Sequence, residues 1–116
     1  MVLHHVLYYN ILIASIYRVL KTHGIFLLKE HDVTSNEIND LVYIEHMLYS
    51  ILEHHMTYDS FIHSYKQYTF SQCTINNILL KFGFKLIAII NNKKVNPTRS
   101  YYALYYKVNI FKGNKK

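Results

Sequence analysis

The sequence predicts an α/β fold: a mostly parallel sheet with one antiparallel strand at its C-terminal end and helices on both faces. Three observations predict it. Helix-periodic stretches alternate with short strand-like runs, the pattern of a sheet whose strands are joined by crossovers. The run Ile25-Phe26-Leu27-Leu28 is continuously apolar rather than alternating, as in a strand covered on both faces. Finally, only a polar loop, residues 91–98 with Pro97, separates the last two strand-like segments. A parallel pair needs a crossover of about a dozen residues or more, so these two are expected to run antiparallel.

Residues 2–6 are expected to be the tail of a first strand. In residues 7–21 the apolar positions Leu12, Ile16, Val19 and Leu20 recur at helical spacing, and Ile13 and Tyr17 widen the stripe. Lys21 and His23 suit the negative end of that helix, and Gly24 is the expected left-handed stop. The run 25–28 then ends abruptly in Lys29-Glu30-His31-Asp32. Thr34 and Glu37 have capping-box spacing ahead of a long helix, residues 38–54, in which Glu45 interrupts the apolar face. Residues 55–70 are polar and aromatic, with Tyr58, Phe61, Ile62 and Tyr65 spaced for a short extra helix. Ile75, Ile78, Leu79 and Phe82 form another helical stripe, stopped by Gly83. Strands follow at residues 84–90 and 99–108.

Composition narrows the class. The 116 residues are 51% hydrophobic and 17% charged, with three Gly and one Pro, which excludes disordered, collagen-like and linker-like chains. One domain is expected over residues 1–111, with a basic tail at 112–116. No apolar run reaches the length of a spanning helix. The single Cys73 excludes an internal disulfide and points to a reducing compartment, so a cytoplasmic, intracellular location without membrane association is expected. The formal charge is +6 and unevenly spread. All seven acids lie between Glu30 and Asp59, and every charged residue past Asp59 is Lys or Arg. A positive second half of this kind attracts a polyanion such as RNA, and Lys93, Lys94 and Arg99 are its candidate contacts. The alternative is a solvated surface with a frayed basic tail.

Several segments in order carry a resemblance. Leu3-His4-His5, then Arg18-Val19-Leu20-Lys21-Thr22-His23-Gly24-Ile25, resemble the "LHH" after the fourth strand and the "RVLKPGG" before the fifth strand of class I S-adenosylmethionine-dependent methyltransferases. Leu80-Lys81-Phe82-Gly83-Phe84 is similar to the "LxxAGF" that precedes the sixth strand, and Arg99 to Tyr105 would be the reversed seventh. Thr22 and His23 stand where the family has Pro and Gly. The resemblance implies the C-terminal half of a Rossmann-like methyltransferase sheet, and methyl transfer as the parent activity. It also implies an absence: no G-x-G loop and no acid ending a second strand, the family's means of holding the cofactor. S-adenosylmethionine is therefore not expected to bind this chain tightly, and the chain is expected to be inactive alone. Expected partners are an N-terminal half or a second copy of the chain. The rival reading is a noncatalytic α/β module that contacts RNA or a protein through its basic C-terminal half.

Ligands in open α/β sheets sit beyond the carboxyl ends of strands. That rule brings His4 and His5 towards Glu30, His31 and Asp32. The histidines are candidate bases or acceptor-positioning groups, with Glu30 or Asp32 orienting them; packing or capping of the rim is the alternative for His5 and His31. Tyr58, Phe61, His63 and Tyr65 are candidate lid residues over a methyl acceptor, or a flap that fills space. Neither His4-His5 nor His54-His55 has the spacing that puts two imidazoles on one helix face, so no metal site is expected. Cys73 has no neighbours suited to nucleophilic catalysis.

Overall fold

The computed structural model describes residues 2–92 and 94–108; Lys93 and the basic tail at 112–116 lie outside the described residues. The order of elements is α1 (Tyr9–Val19), β1 (Ile25–His31), α2 (Asn36–Leu52), α3 (Tyr58–Ser64), α4 (Gln72–Lys81), β2 (Phe84–Asn91) and β3 (Ser100–Lys107).

The sheet corrects the expected fold class. It has three strands in the order β1-β3-β2, and both hydrogen-bonded pairs are antiparallel, so it is not a mostly parallel Rossmann-like sheet. Inserting β3 between β1 and β2 makes every neighbour relation antiparallel, although β1 and β2 point the same way. Residues 2–6 are not a strand. They form a turn closed by the Val6 N–H on the Leu3 carbonyl at 3.0 Å. The backbone N–H groups of Leu3 and His4 donate to the Glu30 carboxylate rather than to a neighbouring strand.

The helices also differ from expectation. Phe26, Leu28 and Glu30 of β1 stand opposite Tyr105, Ala103 and Tyr101 of β3, so all six share one face. On that face Leu28, Phe84, Tyr101, Ala103 and Tyr105 join Ile13 of α1, Ile75 and Leu79 of α4, and Leu3 in a single core. Both α1 and α4 therefore cover the same side. On the other side Ile25 is 57% exposed, Leu27 49% and Ile90 64%, so the run 25–28 is buried on one face only. A bulge in β2 between Leu86 and Ala88 shifts the register along this sheet.

Local signals explain the boundaries. Ser35, one residue after the expected Thr34, caps α2 by accepting the Ile38 N–H at 3.3 Å. Thr57 and Ser71 cap α3 and α4 in the same way. Gly83 follows α4 with φ +96°, and a Cβ there would lie 2.5 Å from the Tyr17 ring. At the end of α1 the left-handed residue is His23, with φ 65°, not Gly24. Gly24 is required instead by close approach, since its Cβ would stand 2.7 Å from the Lys21 carbonyl. The Lys107 ammonium donates to the Leu20 carbonyl at 2.7 Å and lies over the Tyr17 ring, placing a cation at the negative end of α1. Among the described residues, no helix is long and apolar enough to cross a membrane.

Candidate functional site

The carboxyl end of β1 opens onto a pocket of about 470 Å³ whose lining includes His4, His5, Glu30, His31, Glu45, His46 and Thr98. Four stretches of chain build it: the 3–6 turn, the end of β1, the middle of α2, and the connection between β2 and β3 that carries Thr98. The turn is anchored by Leu3 in the core, 2% exposed. The Tyr68 N–H on the His4 carbonyl, at 2.6 Å, ties the turn to the segment after α3.

Glu30 is the floor of the site and is 3% exposed. One oxygen accepts the backbone N–H groups of Leu3 and His4; the other accepts the His4 Nδ1–H at 2.7 Å and the His31 N–H at 3.2 Å. Burial by itself would raise this carboxyl. The hydrogen bond and positive charge of His4, with the N–H groups of Leu3 and His31, outweigh it and hold the group below its usual 4.5.

The imidazoles of His4, His31 and His46 converge. One ring nitrogen of each lies within 4.8 Å of the others. Every Nδ1 faces an oxygen that can only accept: the Glu30 carboxylate for His4, the Thr98 carbonyl at 2.8 Å for His31, and the Val42 carbonyl at 2.8 Å for His46. Each Nδ1 must therefore carry hydrogen, which leaves each Nε2 with a lone pair when the ring is neutral. His4 and His46 bring these nitrogens to 3.1 Å. Burial pushes His31 below its ordinary 6.5, and the nearby His4 charge adds to this, against the Thr98 carbonyl, Glu45 and Glu30. Burial likewise lowers His46, helped by His4, His5 and His31 and opposed by the Val42 carbonyl.

The residues expected from sequence are distributed unevenly. His4, Glu30 and His31 are brought together at the centre. His5 is exposed at the mouth, with its ring 4.1 Å from that of His4 and its Nδ1 at 3.2 Å from the Lys66 carbonyl. Asp32 turns away and accepts the Gln72 N–H at 2.7 Å, fixing the start of α4 rather than orienting a histidine. Of the lid residues, Tyr65 reaches the site, its ring 5.4 Å from both His5 and His46. Phe61 is buried beneath Tyr65 and Tyr43, whereas Tyr58 and His63 are exposed without contact to the three histidines. Burial, with the negative charge of Glu30 and Glu45, holds the Tyr65 phenol well above its ordinary value. Lys94 is exposed, and Arg99, at φ 50°, lines a separate groove together with Asp32 and Glu37, a mixed rather than a positive surface.

Sequence reasoning missed His46 and Thr98, and left Glu45 open between a partnered pocket position and a half-exposed edge. The interruption of the apolar stripe at Glu45 was the available signal: Glu45 and its neighbour His46 face the pocket, and Glu45 accepts from the Thr98 hydroxyl at 3.3 Å. Comparison with family models, with curated proteins and with solved structures finds no match for this chain.

Proposed function

We propose that the pocket is the acceptor side of a methyl-transfer site, in which the three histidines take up the proton that leaves the acceptor. The observation that carries this reading is the convergence of one ring nitrogen from each of three histidines, each ring locked by its Nδ1–H, beside a cavity of small-molecule size. The methyl-transfer part rests on the resemblance of the segments around His4, Gly24, Gly83 and Arg99 to class I methyltransferases.

The residues present do not fit S-adenosylmethionine itself. Gly24 is packed against its own turn and Gly83 against the Tyr17 ring, with no room for another group at either Cα, and no acid stands beside a glycine-rich loop. A separate unit with such a loop would have to hold the donor. What this chain supplies is acceptor binding, orientation and proton uptake at Nε2, with Tyr65 packed against the His5 and His46 rings. An intracellular, reducing setting goes with this reading and is supported by the exposed, unpaired Cys73.

The test is incorporation of labelled methyl from S-adenosylmethionine into RNA and small-molecule extracts by the protein purified from its own cells, with whatever unit accompanies it. Loss of a positioned base is worth about 10²-fold or more, so His31→Ala and His46→Ala should each lower incorporation to that extent. No incorporation by the unaltered protein, or incorporation by both variants equal to that of the unaltered protein, would overturn the reading.

A further inference from the structure

We infer that His4, His31 and His46 form a binding site for one divalent cation of the zinc type. The inference stands on the donor arrangement alone and does not rest on the methyl-transfer reading; a bound cation would occupy the Nε2 lone pairs which that reading gives to the proton. With every Nδ1–H pointing at an acceptor, the short His4 Nε2 to His46 Nε2 contact, at 3.1 Å, joins two lone pairs and is no hydrogen bond between neutral rings. A metal cation placed between them removes that repulsion, as a proton on one of the two Nε2 atoms would. Two nitrogens bound tetrahedrally to zinc at about 2.0–2.1 Å stand roughly 3.3 Å apart, close to the separation seen. The third nitrogen is at most 4.8 Å from the others, so His31 completes the set by moving inward by roughly 1 to 2 Å.

The surroundings have the second shell that metal-bound imidazoles use. Each ring donates its other N–H to a carboxylate or a backbone carbonyl, which fixes tautomer and orientation. Glu30 is the carboxylate of that shell. It is a positioning residue for His4, buried and saturated by hydrogen bonds, and is not free to bind the ion itself. Neutral imidazoles select first-row ions of the zinc, copper or nickel type over magnesium or calcium. Three nitrogens from the protein leave a fourth position facing the pocket, where Glu45 and Thr98 stand. The spacing 4, 31, 46 follows no short sequence motif because each ligand comes from a different element.

The experiment uses the full chain, stripped with chelator and titrated with Zn²⁺ alone and Co²⁺ alone. The unaltered chain should bind one equivalent of Zn²⁺, and Co²⁺ should give the intense visible absorption of a four-coordinate site. His31→Ala and His46→Gln should each weaken binding at least tenfold, and Glu30→Gln should weaken it about 10- to 100-fold. His54→Ala, an exposed site beside Tyr49, should bind as the unaltered chain does. The cobalt spectrum of the unaltered chain needs no variant to fold. A pale six-coordinate spectrum, less than one equivalent of Zn²⁺, or equal affinity in His46→Gln and the unaltered chain would overturn the site.

Discussion

His4 and Glu30 grip each other twice. The His4 Nδ1–H donates to one oxygen of the carboxylate at 2.7 Å, and its backbone N–H donates to the other at 2.8 Å. The residues are 26 positions apart, so this one carboxylate fixes both the path of the 3–6 turn and the plane of the ring. A buried carboxylate with several donors is costly to remove, because the donors remain buried without an acceptor.

Glu30→Ala is therefore expected to cost about 3–5 kcal/mol in urea unfolding at neutral pH, with chelator present so that no metal contributes. Glu30→Gln keeps one acceptor oxygen and should cost less. A loss below about 1 kcal/mol for the alanine variant would show that the turn is held by Leu3 in the core and not by the carboxylate.

Tyr101 and Tyr105 make a paired prediction within β3. Both are 2% exposed, yet the Tyr105 hydroxyl donates to the Asn76 side chain at 3.2 Å, whereas the Tyr101 hydroxyl has no partner among the described residues. An unpaired buried hydroxyl is a standing cost, and a paired one is a modest gain. Tyr101→Phe should leave stability unchanged or raise it by about 1 kcal/mol, and Tyr105→Phe should lower it by about 1 kcal/mol. The comparison is made by thermal and urea unfolding of both variants side by side; the opposite order would mean that Tyr101 has found an acceptor.

Gly83 is the residue whose replacement the backbone tolerates least. Its φ of +96° disfavours any side chain, and a Cβ would collide with Tyr17. Gly83→Ala is expected to cost about 2–4 kcal/mol, the sum of backbone strain and a displaced ring. Trimming the ring in a Gly83→Ala/Tyr17→Leu pair should recover none of the strain component, and Tyr17→Leu also loses the hydroxyl's bond to the Val108 carbonyl. Gly83→Ala with the stability of the original chain would refute the left-handed turn.

How much of this was legible depended on whether a residue's role is local. The stripe Ile75, Ile78, Leu79 and the stop at Gly83 belong to one helix, and the periodicity read them directly. The reversal of β3 against β2 was also readable, because a short polar loop allows nothing else. The covering of β1 was not. Four consecutive apolar residues look the same whether a second layer lies above them or open surface does, and Ile25 and Leu27 turned out to be on the open side. The absence of a strand at residues 2–6 was hidden for a related reason: the partner of those N–H groups is a side chain, Glu30, and not a neighbouring strand. In the site, His31 was legible from the rule about strand ends applied to β1, whereas His4 was placed there on the expectation of a strand at residues 2–6 that is a turn instead. His46 was not legible, since its contribution depends on the Val42 carbonyl below it and on a turn more than 40 positions away.

Alkaline stability tests the buried phenols together. Burial pushes Tyr105 up to about 12, and burial raises Tyr65 and Tyr101 further above the ordinary 10, with Tyr43 adding to the first and Tyr105 to the second. In the unfolded chain these groups ionise near 10, while in the folded chain they stay protonated to higher pH. Below about pH 10 both states hold the protons, and the stabilising contribution is fully present. Between about pH 10 and 12 the unfolded chain gives them up and the folded chain does not, so stability falls steadily across that interval. The melting temperature is therefore expected to be level from about pH 8 to 9.5 and to drop steeply above pH 10, with phenolate absorbance of these groups appearing only as the chain unfolds. Phenolate absorbance from all of the tyrosines near pH 10 in a chain that keeps its circular dichroism would mean that Tyr65, Tyr101 and Tyr105 are open to solvent, and the core built on β3 would be wrong.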